Sequence, residues 1–254
     1  MIDKIEFLKI FNPETHNFTT SLAYFRKNIP KKLNLEKKIK YGYKDYSSIN
    51  LLEYYKRIKE NTHGINIVLY NNVLNHVLLS AYINNNFTLE VIKDRNIIFL
   101  NEHNNIKEIT FRNTNVEVLK NNLLVQRNYI RYGLFKVKWN GFNMIVGGDI
   151  DTKYNNKFIN IALFKKLSYR SLLELYFSNI FINIYKVLYT IINNDGYVRY
   201  YNSFEISKIP EIINLDLNKS KIFFKKVIEV IKKEKKRRFI LKYINNKFII
   251  EAKI

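Results

Sequence analysis

The dipeptide Asn140-Gly141, set between the apolar runs Tyr132–Trp139 and Phe142–Asp151, constrains the fold of this chain more than any other feature. Both residues tolerate positive φ, which a two-residue hairpin turn requires, and the twist of such a turn matches that of the strands it joins. The pattern predicts a hairpin with a set register. Register decides orientation, because a slip of one residue turns every side chain to the other face. Asp149 and Asp151, two residues apart at the end of the second run, are therefore expected to share a face of one strand. Paired carboxylates on one face are suited to a hard divalent cation. The bland alternative is two polar residues ending a half-exposed strand.

The rest of the chain alternates between the two periodicities. The first ~60 residues read as irregular and peripheral, with a helix at Ile49–Glu60 whose Leu51, Leu52, Tyr55 and Ile58 share a face. Gly64 precedes an apolar run through Ile65, Ile67, Val68 and Leu69 that continues to Leu79. Phe87–Ile92 and Asn96–Leu100 read as a strand pair around Lys93-Asp94-Arg95, and Asn113–Leu124 as a helix. Lys157–Phe164 is a further strand beyond Tyr154-Asn155-Asn156, which would put Asn160 beside the two aspartates in a cavity on the sheet's concave face. Ser168–Phe181 reads as an apolar helix and Tyr185–Ile192 as a buried strand ending at Asn194-Asp195-Gly196. Leu217–Lys236 has Phe223, Val227, Val230 and Ile231 on one helical face, and Phe239–Ile249 closes the chain with another hairpin. The expected fold is α+β: a central mixed β-sheet flanked by helices, in one domain over residues 1–254, with 1–60 peripheral and 61–254 the core. Only 7 Gly and 3 Pro occur, so no flexible linker marks a boundary.

Charge narrows the partners. The 43 Lys and Arg against 22 Asp and Glu leave a formal charge of +21, which attracts polyanions, nucleic acid first. The densest block is Lys232, Lys233, Lys235, Lys236, Arg237 and Arg238. It reads either as a solvated helix end, where cations suit the helix dipole, or as an RNA-contacting or nuclear-targeting patch. No apolar run approaches the roughly 18–20 residues of a membrane span. The start lacks the layout of a secretory signal, and without cysteine there is no disulfide or Cys-based zinc site. His16, His63, His76 and His103 show no metal-binding spacing, and neither a phosphate-cradling glycine loop nor a nucleophile elbow occurs. Tyr197, Tyr200 and Tyr201 beside Arg199 read as packing residues more readily than as a base-stacking platform.

The order of the segments resembles the DXO-like decapping nuclease family, which includes the nuclear protein that binds and supports the large nuclear 5′→3′ exoribonuclease. Where that family has a strand like Gly-Gly-Glu-Val-Asp-Cys, this chain has Gly147-Gly148-Asp149-Ile150-Asp151-Thr152. Its following Tyr-Val-Glu-Leu-Lys-Thr is met by Phe158-Ile159-Asn160-Ile161-Ala162-Leu163. A Lys-Leu-Leu-Lys-Trp-Trp-Ala-Gln-Ser-like helix corresponds to the segment from Ser171 to Asn179, and an Asp-Asp-Gly strand end to Asn194-Asp195-Gly196. Ile209-Pro210 and the helix from Leu217 follow in the family's order, and Leu22–Arg26 and Lys40–Tyr43 match short pieces near the front.

The resemblance implies a functional set that is eroded here. The family's first-motif arginine corresponds to Asn71 and its second-motif glutamate to Glu117. Its Glu-x-Asp is answered by Asp149 and Asp151, while its Glu-x-Lys is lost as Asn160 and Ala162. Its helix glutamine becomes Ser178. Three carboxylates remain as possible ligands of Mg2+ or Mn2+, and no cofactor is required for a binding role. Removing single groups that stabilise transition-state charge costs ~10²–10³ in rate, so several losses imply activity near background. The resemblance thus implies a pseudoenzyme in RNA 5′-end quality control, nuclear, with RNA and the 5′→3′ exoribonuclease as partners. The alternative is a residually active metal-dependent decapping nuclease or pyrophosphohydrolase. In either case the surplus charge predicts sequence-tolerant binding of single-stranded RNA that weakens steeply with salt. Filter binding across a salt series checks this, and affinity unchanged from low to high salt contradicts it.

Overall fold

The computed structural model describes residues 2–12, 17–19, 24–25, 55, 64–103, 119–120, 123–125, 132–193 and 197–252. In chain order it places β1 (Lys4–Asn12), β2 (Asn17–Thr19), β3 (Tyr24–Phe25) and β4 (Ile67–Tyr70), then α1 (Asn71–Leu79). β5 (Phe87–Asp94), β6 (Ile97–Glu102), β7 (Leu124–Val125), β8 (Tyr132–Trp139), β9 (Phe142–Asp149), β10 (Thr152–Tyr154) and β11 (Lys157–Phe164) follow. Then come α2 (Tyr169–Ile180), β12 (Ile184–Ile192), β13 (Val198–Glu205), the short α3 (Ile209–Ile212), α4 (Leu217–Lys233), β14 (Arg238–Ile244) and β15 (Lys247–Ala252).

The Asn140-Gly141 turn forms as expected, with φ of 52° and 78°, and pairs Trp139 with Phe142 through Tyr132 with Asp149. The same chemistry recurs with asparagine alone. Asn155-Asn156 turns β10 into β11 and Asn245-Asn246 turns β14 into β15, all four at positive φ. In a chain short of glycine, asparagine supplies the left-handed conformation, because its short polar side chain tolerates it. Arg95, at φ 53°, does so between β5 and β6.

The strands form two main sheets where one was expected. The larger runs β15-β14-β5-β6-β4-β9-β8-β1-β2, the second β10-β11-β12-β13, and β3 pairs with β7. Both main sheets are mixed, since β4 runs parallel to β6 and β9, and β11 to β12. Phe7 of β1, Phe135 of β8 and Phe158 of β11 join them, with ring centroids 5.1–5.8 Å apart. Beneath the hairpin, Trp139 meets Phe181, just beyond α2, at 5.0 Å and Phe224 of α4 at 5.4 Å. One apolar core thus includes residues of both sheets, and the fold is a single α+β domain.

Three boundaries differ from expectation. Part of the first ~60 residues is not irregular, because β1 pairs with β8 inside the large sheet. A bulge between Phe7 and Lys9 breaks the alternation that would have announced this strand. Of the expected helix at Ile49–Glu60 only Tyr55 is described, and it is helical. Leu119, Lys120 and Leu123 are helical, but the chain becomes strand β7 at Leu124; residues 113–118 and 121–122 lie outside the described residues, as do 194–196. α4 ends at Lys233, three residues early, and its buried face is Ser220, Phe224, Val227, Ile228 and Ile231, so Phe224 joins the expected set while Phe223 and Val230 are only partly buried.

Candidate functional site

The chain passes from one main sheet to the other between Asp149 and Thr152. β9 ends at Asp149, β10 begins at Thr152, and Ile150 and Asp151 belong to neither strand. The two carboxylates therefore do not share one strand face, contrary to the expectation from their spacing. Asp149 is exposed at the end of the ladder, whereas Asp151 is 4 % exposed. Period-two logic fails here because the strand stops one residue after Gly148.

Asn160 lies beside them, on β11 of the second sheet rather than on a strand paired with β9. The antiparallel ladder pairs Thr152 with Ile159, so Asn160 falls opposite Asp151. Each side chain there accepts a backbone N–H from the facing segment. The Asp151 backbone N–H donates to Asn160 Oδ1 at 2.9 Å, and the Ile161 N–H donates to Asp151 Oδ2 at 2.8 Å. Asn160 Nδ2 donates to the Asp149 carbonyl at 3.1 Å and to Asn179 Oδ1 at 3.0 Å. Asn179 in turn donates to the Leu175 carbonyl one turn earlier in α2 at 2.7 Å. The amide of Asn160 thus stitches the crossing segment to β11 and α2, and the one donor and two acceptors around it set its orientation.

The other oxygen of Asp151 meets an ammonium. Lys120 Nζ stands 2.8 Å from Asp151 Oδ1, with the two side chains 11 % and 3 % exposed. Lys120 is held by its neighbours: Leu119, Leu123 and Leu124 pack with Ile161, Ile192 and Val198 in a second apolar cluster. A buried carboxylate is costly unless paired and hydrogen-bonded, and Asp151 has both kinds of partner.

Of the remaining positions of the expected set, Asn71 and Ser178 come together beside this network. Asn71, the first residue of α1, donates through Nδ2 to the Ser178 carbonyl, and its Oδ1 is buried without a hydrogen bond, as is that of Asn75. A Cβ on Gly148 would meet Asn71 Cβ at 3.0 Å and Ile182 Cγ2 at 2.9 Å, so glycine permits α1 to approach the strand that carries Asp149. Ala162 packs against the main core. Glu117 lies outside the described residues. Residues far apart in sequence, Asn71, Asp149, Asp151, Asn160 and Ser178, therefore meet at the crossing between the sheets.

The described donors do not fit a two-ion centre. Among the described residues no group of three or more His, Asp or Glu is placed to hold a metal. Asp151 gives one oxygen to an N–H and the other to an ammonium, and the Asn160 oxygen is spent on an N–H. Hard divalent ions require several oxygen ligands at once. The sequence reading missed Lys120 and the role of Asn179. A signal for Lys120 existed: Val116, Leu119, Lys120 and Leu123 follow the i, i+3, i+4, i+7 spacing, which puts a lysine in an apolar stripe.

The basic block stands elsewhere. Lys232 and Lys233 end α4, and Lys235, Lys236 and Arg237 are exposed in the connector that follows. Arg238 opens β14 and is committed to Glu90 of β5 at 2.6 Å. The backbone N–H of Lys236 holds the Glu234 carboxyl below its ordinary range. β14 lies four strands from β9, about 19 Å across the sheet, so this block and the Asp151 network are separate surfaces.

The bonding of Asn160 generates a prediction. Asn160→Asp keeps the acceptor for the Asp151 N–H but turns a donor toward the Asp149 carbonyl and Asn179 Oδ1 into a second acceptor. The loss of stability at neutral pH is expected at about 2–3 kcal/mol. A carboxyl facing acceptors favours its protonated form, so its folded-state pKa is raised and the protonated group binds more readily in the folded chain. The loss should therefore shrink as pH falls through the raised folded-state pKa and be largely gone by the unfolded carboxylate value near ~4. Urea denaturation at two pH values measures this, and a pH-independent difference contradicts it.

No family model matches the sequence, and no curated protein matches it. Solved structures do match. S. pombe Rai1 in complex with 3'-FADP has a TM-score of 0.77 at 12% identity, with 100% of this chain and 96% of that chain covered. K. lactis Dxo1 in complex with manganese has a TM-score of 0.78 at 12% identity, covering 100% and 90%. Candida albicans Rai1 in complex with pU5-Mn2+ has a TM-score of 0.67 at 10% identity, covering 100% and 91%. Over its whole length, the chain has the fold of Rai1 and Dxo1.

Proposed function

We propose that this protein is a catalytically degenerate member of the DXO-like decapping nuclease family, acting in nuclear RNA 5′-end quality control as a binding and stabilising partner of the 5′→3′ exoribonuclease. The observation that carries this reading is the pairing of buried Asp151 with the Lys120 ammonium, beside an asparagine and an alanine in the Glu-x-Lys places. The fold match to Rai1 and Dxo1 supports the family. RNA is supported by the charge of +21 and by the 3'-FADP and pU5 of the structural neighbours. Among the described residues, no helix is long and apolar enough to cross a membrane.

A partner role requires no active site. A protein that binds the folded exoribonuclease stabilises it by mass action, by about 2.7 kcal/mol at a hundred times the dissociation constant. The second reading, a residual metal-dependent decapping nuclease, is favoured by the retained Asp149 and Asp151 and by the manganese of the Dxo1 structure. In that reading Asp149, Asp151 and Glu117 would hold Mg2+ or Mn2+, which would stabilise charge on the attacking and leaving oxygens.

Purified protein with triphosphate-, cap- or cofactor-terminated RNA is expected to release no product above background with magnesium or manganese. In the presence of the exoribonuclease it should raise that enzyme's thermal midpoint without adding cleavage. Metal-dependent product that disappears in Asp149→Ala would establish the enzyme reading instead.

A further inference from the structure

We infer that Lys120 is a built-in counter-cation that keeps a divalent ion out of the Asp149–Asp151 crossing. The inference rests on the degenerate reading of this site and names the residue responsible. A metal bound to Asp151 would need an oxygen at about 2.0–2.6 Å. Oδ2 is engaged by the Ile161 N–H, and Oδ1 is the atom on which Lys120 Nζ sits at 2.8 Å. An ion reaching Oδ1 must displace the ammonium or approach it closely, and like charges at such separations repel strongly where water is largely excluded.

Neither partner of the pair can easily retreat. Asp151 is tied to β11 through Ile161 and Asn160. Lys120 rises from a helical turn whose Leu119 and Leu123 are fully buried against the second sheet, and its own side chain is 11 % exposed. An ammonium so held supplies a positive charge to the site, with none of the open coordination positions of a metal. Asn160 adds no negative charge to attract an ion, and its oxygen already accepts the Asp151 N–H. A protein whose site carries its own cation also gains no stability from added metal, whereas a vacant carboxylate site does.

The test measures Mn2+ binding to the full-length protein by loss of the free-ion paramagnetic resonance signal, with thermal midpoints read in Mn2+ and in chelator. Wild type is expected to bind no ion at submillimolar Mn2+ and to melt at the same temperature in both. Lys120→Gln retains an N–H donor toward Asp151 but removes the charge. It is expected to gain one Mn2+ site, at least tenfold tighter than any binding by wild type, and a midpoint that rises with Mn2+. Adding Asp149→Asn to Lys120→Gln should weaken that site again. A Lys120→Gln protein that folds but binds no more Mn2+ than wild type overturns the inference. Wild-type binding that is lost in Asp149→Asn overturns it too, and this readout does not depend on the folding of the lysine variant. RNA cleavage followed in the same samples separates the two failures. Wild type that binds Mn2+ without cleaving removes only the counter-cation, whereas wild type that cleaves removes the partner reading itself.

Discussion

A chain that leaves one sheet and enters another must find partners for its backbone at the crossing, and here Asp151 and Asn160 provide them. Asp151 accepts the Ile161 N–H, and Asn160 accepts the Asp151 N–H while donating to the Asp149 carbonyl. Around this point the aromatic trio Phe7, Phe135 and Phe158 joins the sheets, and the Asn140-Gly141 hairpin sets the register of β9 that delivers Asp149 to the sheet's end. Buried polar groups are costly unless satisfied, so this network limits what else the crossing can do.

That limit is where structure passes into function. A phosphodiester-cleaving site needs carboxylate oxygens available to cations and a positive group aimed at the developing charge. Here the Asp151 carboxylate is paired with an internal ammonium, and the Asn160 amide is bonded to the backbone. Asn71 Nδ2 ties α1 to the Ser178 carbonyl. These side chains serve as structural bonds within the crossing. The surface charge stands apart from this network, because Lys232, Lys233, Lys235, Lys236 and Arg237 are exposed four strands away.

Much of this architecture is legible in the residues. The turn dipeptide, the strand Lys157–Phe164 and the helix begun by Ser168 follow from local chemistry that tertiary packing does not override. The order of motifs pointed to the fold later matched by Rai1 and Dxo1. What escaped was non-local. Nothing in the alternation near Asp149 announces that the strand stops there, and nothing in β1 survives its bulge to suggest a central pairing. Lys120 was hidden by habit, since a lysine in a chain with 43 basic residues is assumed to face water. Its place in an apolar stripe was the available signal, but its partner comes from another part of the chain.

The central claim is that the buried pair between Lys120 and Asp151 holds the crossing as an interacting unit. A double-mutant cycle of Lys120→Met and Asp151→Asn, followed by urea unfolding without metal, tests it most directly. Each single change leaves a buried partner uncompensated and is expected to cost about 3–5 kcal/mol. The double variant should lose less than the two together, by roughly 1–3 kcal/mol of coupling. Losses that simply add would show two independent residues and contradict the account.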